Sequence, residues 1–455
     1  MLLYERQLDI PPMAGDGSLI GHFNRFVANE LSINEAPVRL AVTKSGPDGY
    51  ECELGVLADL RDCPCAGPAR LFDFMRRETE NIEQFNAVLL VPTGIGAVIG
   101  GHAGDANPVA RLLASACDTL VTHPNVVNAS DINELPDNAL YVEGSTICQL
   151  LMGAVAIEKV RSNRVILVID HHRDEAITEL VVNSASAARA TLGLDCPRVV
   201  CMDPPIRMQA ELSPSGSAVG RVEHLERLCR TLSKHRGEFD AIALATLIEV
   251  DDGVHNAYFQ SNGEMVNPWG GAEAMLTHTI SMIYDAPSAH APMMESLEML
   301  RTTFGIVDPR MAAEAVSRCF LHCVLKGLHR SPRIIVDPPI MSRPGMLTAA
   351  DISCLVIPDG CLGLPTLAAM EQGIPVIAVR ENKNCMRNDL ELLPFESDKL
   401  FVVDSYLEAV GVMTALQAGV APSAVRRPLT TTVVTREQTE GRVDSSMELE
   451  DTASR

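Results

Sequence analysis

The residues best suited to chemistry sit in polar and Gly-rich clusters that each follow a short apolar run. The first cluster is Pro92-Thr93-Gly94-Ile95-Gly96-Ala97-Val98-Ile99-Gly100-Gly101-His102-Ala103-Gly104-Asp105. Its glycines let the backbone turn tightly and approach a ligand, and Asn107-Pro108 then opens a helix whose free N–H groups favour an anion. The spacing is not that of a dinucleotide-binding fingerprint, and no Gly-Lys-Ser/Thr of a P-loop occurs. Further clusters are Thr122-His123-Pro124-Asn125 with Asn128, Glu143-Gly144-Ser145-Thr146, and Asp170-His171-His172-Arg173. A histidine, a carboxylate and an amide brought together can act as general base, orienting group and oxyanion donor. His123, Glu143, Asp170 and His171 are therefore the catalytic candidates. Thr93, Gly94, Gly96, Gly100, Gly101, Gly104, Asp105, Asn125, Asn128 and Ser145 are the candidates for ligand contact.

A second group lies late in the chain. Asp359, Gly360 and Gly363 precede a helical stretch, and Glu381, Asn382 and Asn384 follow the next apolar run, so all six join the ligand-contact set. Asp251-Asp252-Gly253-Val254-His255 and Asn267-Pro268-Trp269-Gly270-Gly271 add polar loops, with Trp269 suited to wall a pocket. Nothing nearby lowers the thiol pKa of Cys148 or Cys361, and Cys63-Pro64-Cys65 has no second pair at zinc spacing, so ordinary thiols are expected.

Convergence of such distant clusters requires a parallel sheet, in which side chains at the carboxyl ends of different strands meet. Apolar runs at 87–91, 119–121, 139–142, 165–169, 199–202 and 241–247 alternate with helical stretches, which is βαβ grammar. The expected fold is α/β, with two Rossmann-like parallel-sheet units. Residues 1–84 read as a small α+β segment with helices at 18–31 and 69–79 and strands at 38–42 and 52–57. Residues 85–250 read as the first Rossmann-like domain, and 251–330 as a helical connector with one long helix over 310–328. Residues 331–429 read as the second Rossmann-like unit, from runs at 334–336, 354–357 and 376–379, and 430–455 as a disordered tail. Asp203-Pro204-Pro205-Ile206 and Asp337-Pro338-Pro339-Ile340 echo one another, by duplication of a unit or by chance. The central expectation is that Thr93, His123, Glu143 and Asp170 share one rim.

The totals bound the function. A chain of 455 residues exceeds one ordinary core, and a net charge of −22 without basic runs opposes nucleic acid and anionic membrane surfaces. The 13 scattered cysteines read as reduced thiols. No stretch is long and apolar enough for a membrane span and no leader is evident at the start, so a cytoplasmic location is expected. The expected partner is a small molecule, and a homo-oligomer is compatible with it. Neither a nicotinamide nor a flavin fingerprint occurs, which leaves the cofactor unassigned. A divalent metal, if bound, would take His123, Asp170, His171 and His172.

The motifs carry three resemblances. Val165-Ile166-Leu167-Val168-Ile169-Asp170-His171-His172 resembles the strand and Asp-His-His element of metal-dependent phosphoesterases, which implies hydrolysis at a divalent-ion pair. The upstream Thr122-His123-Pro124-Asn125 lacks that family's paired aspartates. The stretch 357–379, with Gly363-Leu364-Pro365-Thr366-Leu367, resembles the nucleotide-sugar-binding part of two-domain glycosyltransferases, although Ala368 or Ala369 stands where an acidic residue would hold the donor ribose. Across residues 1–428, the glycine loop, Thr122-His123-Pro124-Asn125-Val126-Val127-Asn128, and Asn267-Pro268-Trp269-Gly270-Gly271 followed by Glu273 resemble an uncharacterised family of bacterial, cyanobacterial and algal α/β proteins, which carries no reaction with it. The expected function is that of a transferase or hydrolase acting on a small polar, anionic metabolite. A sugar-nucleotide enzyme, a metal-dependent hydrolase and a non-catalytic metabolite-binding protein are the alternatives.

Overall fold

The computed structural model describes residues 1–15, 17–62, 70–133, 135–251, 253–298, 305–429 and 431–435. Cys63, Cys65, Asp252 and the tail from 436 onward lie outside the described residues, as does residue 430. Among the described residues the protein is mixed α/β, with two parallel sheets, one larger mixed sheet and two small antiparallel ones.

The parallel sheets form because their strands are apolar on both faces and must be covered on both sides. The six-stranded one runs Leu400–Val403, Val376–Val379, Ile352–Pro358, Asn86–Leu89, Thr119–Thr122, Ala139–Tyr141, with every neighbour parallel. The four-stranded one runs Val199–Met202, Val165–Asp170, Ala241–Thr246, Ser288–Pro292, also fully parallel. A seven-stranded sheet gathers Leu2–Ile10, Glu35–Gly46 and Gly49–Ala58 with Arg207–Leu212 and Ala218–Glu223, antiparallel among themselves. Ile248–Glu249 and Leu362–Gly363 lie at its edges.

All six apolar runs expected between 87 and 247 are strands, yet the sheets do not follow the expected segments 85–250 and 331–429. The first three of those strands join Ile352–Pro358, Val376–Val379 and Leu400–Val403 in one sheet, and the last three form the other. Apolar periodicity marks a strand as buried on both faces, but it does not name the neighbour. The segment 251–330 is more than a connector, because it contributes the edge strand Ser288–Pro292 and the helix Gly270–Tyr284. Ile334 lies in the strand Arg333–Ile335, which pairs antiparallel with Ala156–Glu158 instead of extending a βα unit. The two Asp-Pro-Pro-Ile stretches also differ. The later one opens the short helix Pro338–Met341, whereas the earlier one leads into the strand Arg207–Leu212.

Two expected helices are corrected. The long helix over 310–328 is interrupted, leaving Ala312–Val316 and Leu321–His329, because Asp131 draws the Ser317 hydroxyl and accepts the Cys319 N–H at 3.4 Å. Residues 70–79 are not helical. The Arg77 amide donates to the Gln372 side chain at 2.6 Å, and its guanidinium donates to the carbonyls of Gln372 and Ile352, each at 2.9 Å, which holds the chain extended. The helix expected at 18–31 forms as Leu19–Glu30, with the Ser18 hydroxyl capping Gly21. Among the described residues, no helix is long and apolar enough to cross a membrane.

Small residues seat the helix Gly270–Tyr284 against its sheet. A Cβ on Gly271 would lie 2.2 Å from the Ala218 carbonyl oxygen, and one on Gly220 would lie 2.4 Å from the Ala272 Cβ. Backbone therefore packs directly on backbone where this helix crosses the strand Ala218–Glu223. Gly271→Ala should lower stability by about 3 kcal/mol through overpacking, measured as a shift in the chemical denaturation midpoint at unchanged slope.

Candidate functional site

The carboxyl ends of Asn86–Leu89, Thr119–Thr122 and Ala139–Tyr141 open onto a cavity holding about 1400 Å³ of empty space, its mouth included. Thr93, His123 and Glu143 reach it from that rim, Glu273, Thr277 and His278 from the helix Gly270–Tyr284, and His290 from the edge strand of the four-stranded sheet. Trp269 walls it, in keeping with its position beside two glycines. Four glutamates, Glu143, Glu273, Glu295 and Glu314, line the cavity, with neither lysine nor arginine among the described lining residues.

Glu143 is the centre of the site. It caps the helix Gly144–Leu151, and one carboxylate oxygen accepts the amides of Ser145 at 2.8 Å and Thr146 at 3.3 Å together with the Ser145 hydroxyl. The other oxygen takes Nδ1 of His278. A Cβ at position 144 would lie 2.8 Å from Cε1 of His278, so glycine there is what lets the ring approach. The carboxylate is only 2% exposed. Burial pushes its pKa up, but the His278 imidazole and the Ser145 donors outweigh burial and hold it below the ordinary range. An ionised carboxylate holding Nδ1–H leaves Nε2 of His278 as the basic atom.

His123 is set differently. The Val91 amide donates to its Nε2 at 3.1 Å, so in the neutral ring the proton sits on Nδ1. Burial pushes its pKa down to about 4, with Glu143 partly opposing and His278 adding to the shift. Protonating Nε2 would also cost the Val91 hydrogen bond, so His123 is a neutral donor near pH 7. His290 has both nitrogens engaged, Nδ1 with Glu273 at 3.0 Å and Nε2 with the Thr246 hydroxyl at 2.8 Å.

Of the four residues expected on one rim, three meet. Asp170 ends a strand of the other parallel sheet, where it accepts the amides of Ile206 at 3.2 Å and Leu247 at 3.3 Å, and burial raises its pKa to about 7. His171 is exposed, and His172 accepts the Asp174 amide at 2.9 Å. Among the described residues, no group of three or more His, Cys, Asp or Glu is arranged to hold a metal ion, so the Asp-His-His element and His123 do not assemble into one.

Gly94, Gly101, Asn125 and Asn128 line the main cavity, and Ser145 and Gly363 line a second space beside it. The Asn125 amide is spent on the carbonyls of Val91 at 3.1 Å and Gly100 at 2.7 Å, and Asn128 pairs with the Tyr141 hydroxyl at 2.9 Å. Gly96, Gly100 and Gly104 serve packing, since a Cβ at each would meet Val266, Val91 and Ala129 respectively. Asp105 accepts the Gly100 amide at 2.7 Å, with burial raising its pKa to about 7.

The late group faces neither space apart from Gly363. Asn382 bridges Ile99 and the Tyr406 hydroxyl, Glu381 caps Tyr406, Asn384 donates to the Asp359 carbonyl, and the Asp359 carboxylate accepts the Gly360 amide. These polar groups pin loops. On the helix Leu364–Glu371, Ala368 and Ala369 are buried, and Glu371 turns away to the Ser18 hydroxyl at 2.8 Å.

The residues missed from sequence are Glu273, Thr277, His278 and His290. One signal is there to be read: Glu273 and Thr277 are four apart, which puts them on one helical face just after Trp269-Gly270-Gly271, and His278 is the next residue in the chain.

The depressed His123 pKa fixes a sign. Above about pH 6.5 the ring is neutral folded and unfolded, whereas between that pH and about 4 only the unfolded chain takes the proton. Its contribution to stability is therefore present above about 6.5 and lost as pH falls towards 4. Asp105, Asp170 and Glu314, each raised to about 7 by burial, work oppositely, so His123 is read as a difference. Relative to His123→Asn, the unmodified protein should lose about 3 kcal/mol between pH 7 and 4, measured by denaturant titration at each pH.

A family model described as a protein of unknown function (DUF3326) matches residues 86–426. An uncharacterized lipoprotein of Synechococcus sp. is 34% identical over 342 residues, covering 74% of this chain and 92% of that protein. No solved structure matches the chain. The family match spans His123, Glu143, Glu273, His278 and His290, and on this match together with the cyanobacterial relative, the chain belongs to the DUF3326 family.

Proposed function

We propose that the chain is an enzyme that moves protons on a small polar molecule held in the rim cavity. His278 is the general base through Nε2, Glu143 orients it and stabilises the imidazolium that forms, and His123 donates its Nδ1–H to an oxygen gaining negative charge. The six-stranded and four-stranded parallel sheets act in this reading as two Rossmann-like halves around the ligand. The observation that carries it is the pairing of buried Glu143 with half-buried His278 at the wall of a cavity large enough for a metabolite.

Transferase and hydrolase chemistry both suit this arrangement, since each needs a hydroxyl or water deprotonated beside an acceptor. The glutamate-rich lining, free of Lys and Arg among its described residues, favours an uncharged or cationic group over an anion. The described cysteines are free thiols, which supports a reducing compartment and hence the cytoplasm.

The test is incubation of the purified chain with a cellular small-molecule extract, followed by mass spectrometry. At least one compound should be consumed, at a rate about 100-fold or more lower in His278→Ala and Glu143→Gln. Turnover at an undiminished rate in both variants would remove the assignment. Retention of a compound without any turnover would make the chain a binding protein.

A further inference from the structure

Beside the main cavity lies a second chamber, holding about 910 Å³ of empty space with its mouth included. Thr93, His123, Gly144, Ala274 and His278 line both spaces, so the two meet at the histidines assigned to proton transfer. The chambers differ in chemistry. Leu40, Leu90, Ile95, Ile357, Leu362 and Leu364 furnish much of the second one, and neither aspartate nor glutamate lines it among the described residues.

Its hydroxyls are already engaged, and its cation faces carboxylates. The Ser145 hydroxyl donates to Glu143, the Thr366 hydroxyl donates to the Cys361 carbonyl at 2.9 Å, and Nη1 of Arg39 is drawn to Glu5 at 2.7 Å with Glu53 at 3.9 Å. Burial pushes the Cys148 thiol up to about 12 and raises that of Cys361 as well, so both present apolar sulfur. Among its leucines and isoleucines a polar ligand would give up its water without gaining partners, whereas a hydrocarbon would gain by leaving water.

Building on the proposed activity at the same histidines, we infer that the second chamber is a subsite for an aliphatic segment of the substrate, with the polar reacting group beside His123 and His278. Such a molecule is an amphiphile. Its chain lies among the leucines and isoleucines, and its head lies in the glutamate-lined cavity.

Titration of the full chain with ethylamine, butylamine and octylamine by calorimetry tests this, the amine being chosen because glutamates line the head chamber. Each methylene taken into the chamber should tighten binding about three- to fourfold. Met386→Trp at the chamber wall, and Cys148→Phe on the helix Gly144–Leu151, should each weaken octylamine at least tenfold while leaving ethylamine within twofold. Affinity independent of chain length in the unmodified protein would overturn the inference, whether or not either variant folds. Wild-type octylamine affinity in both folded variants would overturn it too. These readouts report binding alone. A chain-length dependence without catalysis would remove the proposed activity and leave the subsite standing.

Discussion

A carboxylate taken out of water must be fully paired, and Glu143 is nearly so buried as to see no solvent. Its partners come from two separate elements: the first turn of the helix it caps, and His278 on the helix Gly270–Tyr284. That requirement ties the rim of the six-stranded sheet to a helix whose own seat is the seven-stranded sheet. Removing either partner leaves charge stranded in a dry place, so the site and the packing of three layers are one arrangement. Ser145 contributes twice, by its amide and its hydroxyl, which is why a short Glu-Gly-Ser turn suffices.

Much of this architecture is legible in the chain. Apolar runs such as 165–169 and 376–379 announce strands buried on both faces, and they form as expected. His123 and Glu143 can be found because polar residues that terminate adjacent parallel strands share an edge. Asp170 obeys the same rule locally but ends a strand in a different sheet, and nothing in its own neighbourhood says so. His278 escapes notice because it lies inside a helix of mostly apolar residues, where a histidine reads as a satisfied core group. His290 sits in a strand, Ser288–Pro292, too short and too rich in alanine to stand out from its surroundings.

The glycine loop misleads for a related reason. Its glycines suggest a ligand cradle, yet three of them let Val266, Val91 and Ala129 come close instead. Gly94 has both characters, since it lines the cavity while its carbonyl accepts the Ala218 amide at 2.7 Å. Glycine enrichment reports close approach, and the approaching partner is as often the protein itself. The late Asp, Asn and Glu residues behave in the same way through hydrogen bonds. Asn382 is wholly buried and holds a turn together, although its type and place at a strand exit suit a ligand contact equally well.

The six-stranded sheet is stitched from two distant stretches, with Asn86 in register with Ile352 and Leu89 with Val356. A ribosome delivers the first of these long before the second. Until the later strands emerge, Asn86–Leu89 has an open edge, and the apolar surface around it lacks cover. Assembly of this sheet must therefore wait until the strands Ile352–Pro358, Val376–Val379 and Leu400–Val403 have been made, through non-local pairings of the kind that slow folding and invite aggregation. A chain cut short of Ile352 would leave that edge of Asn86–Leu89 without its partner.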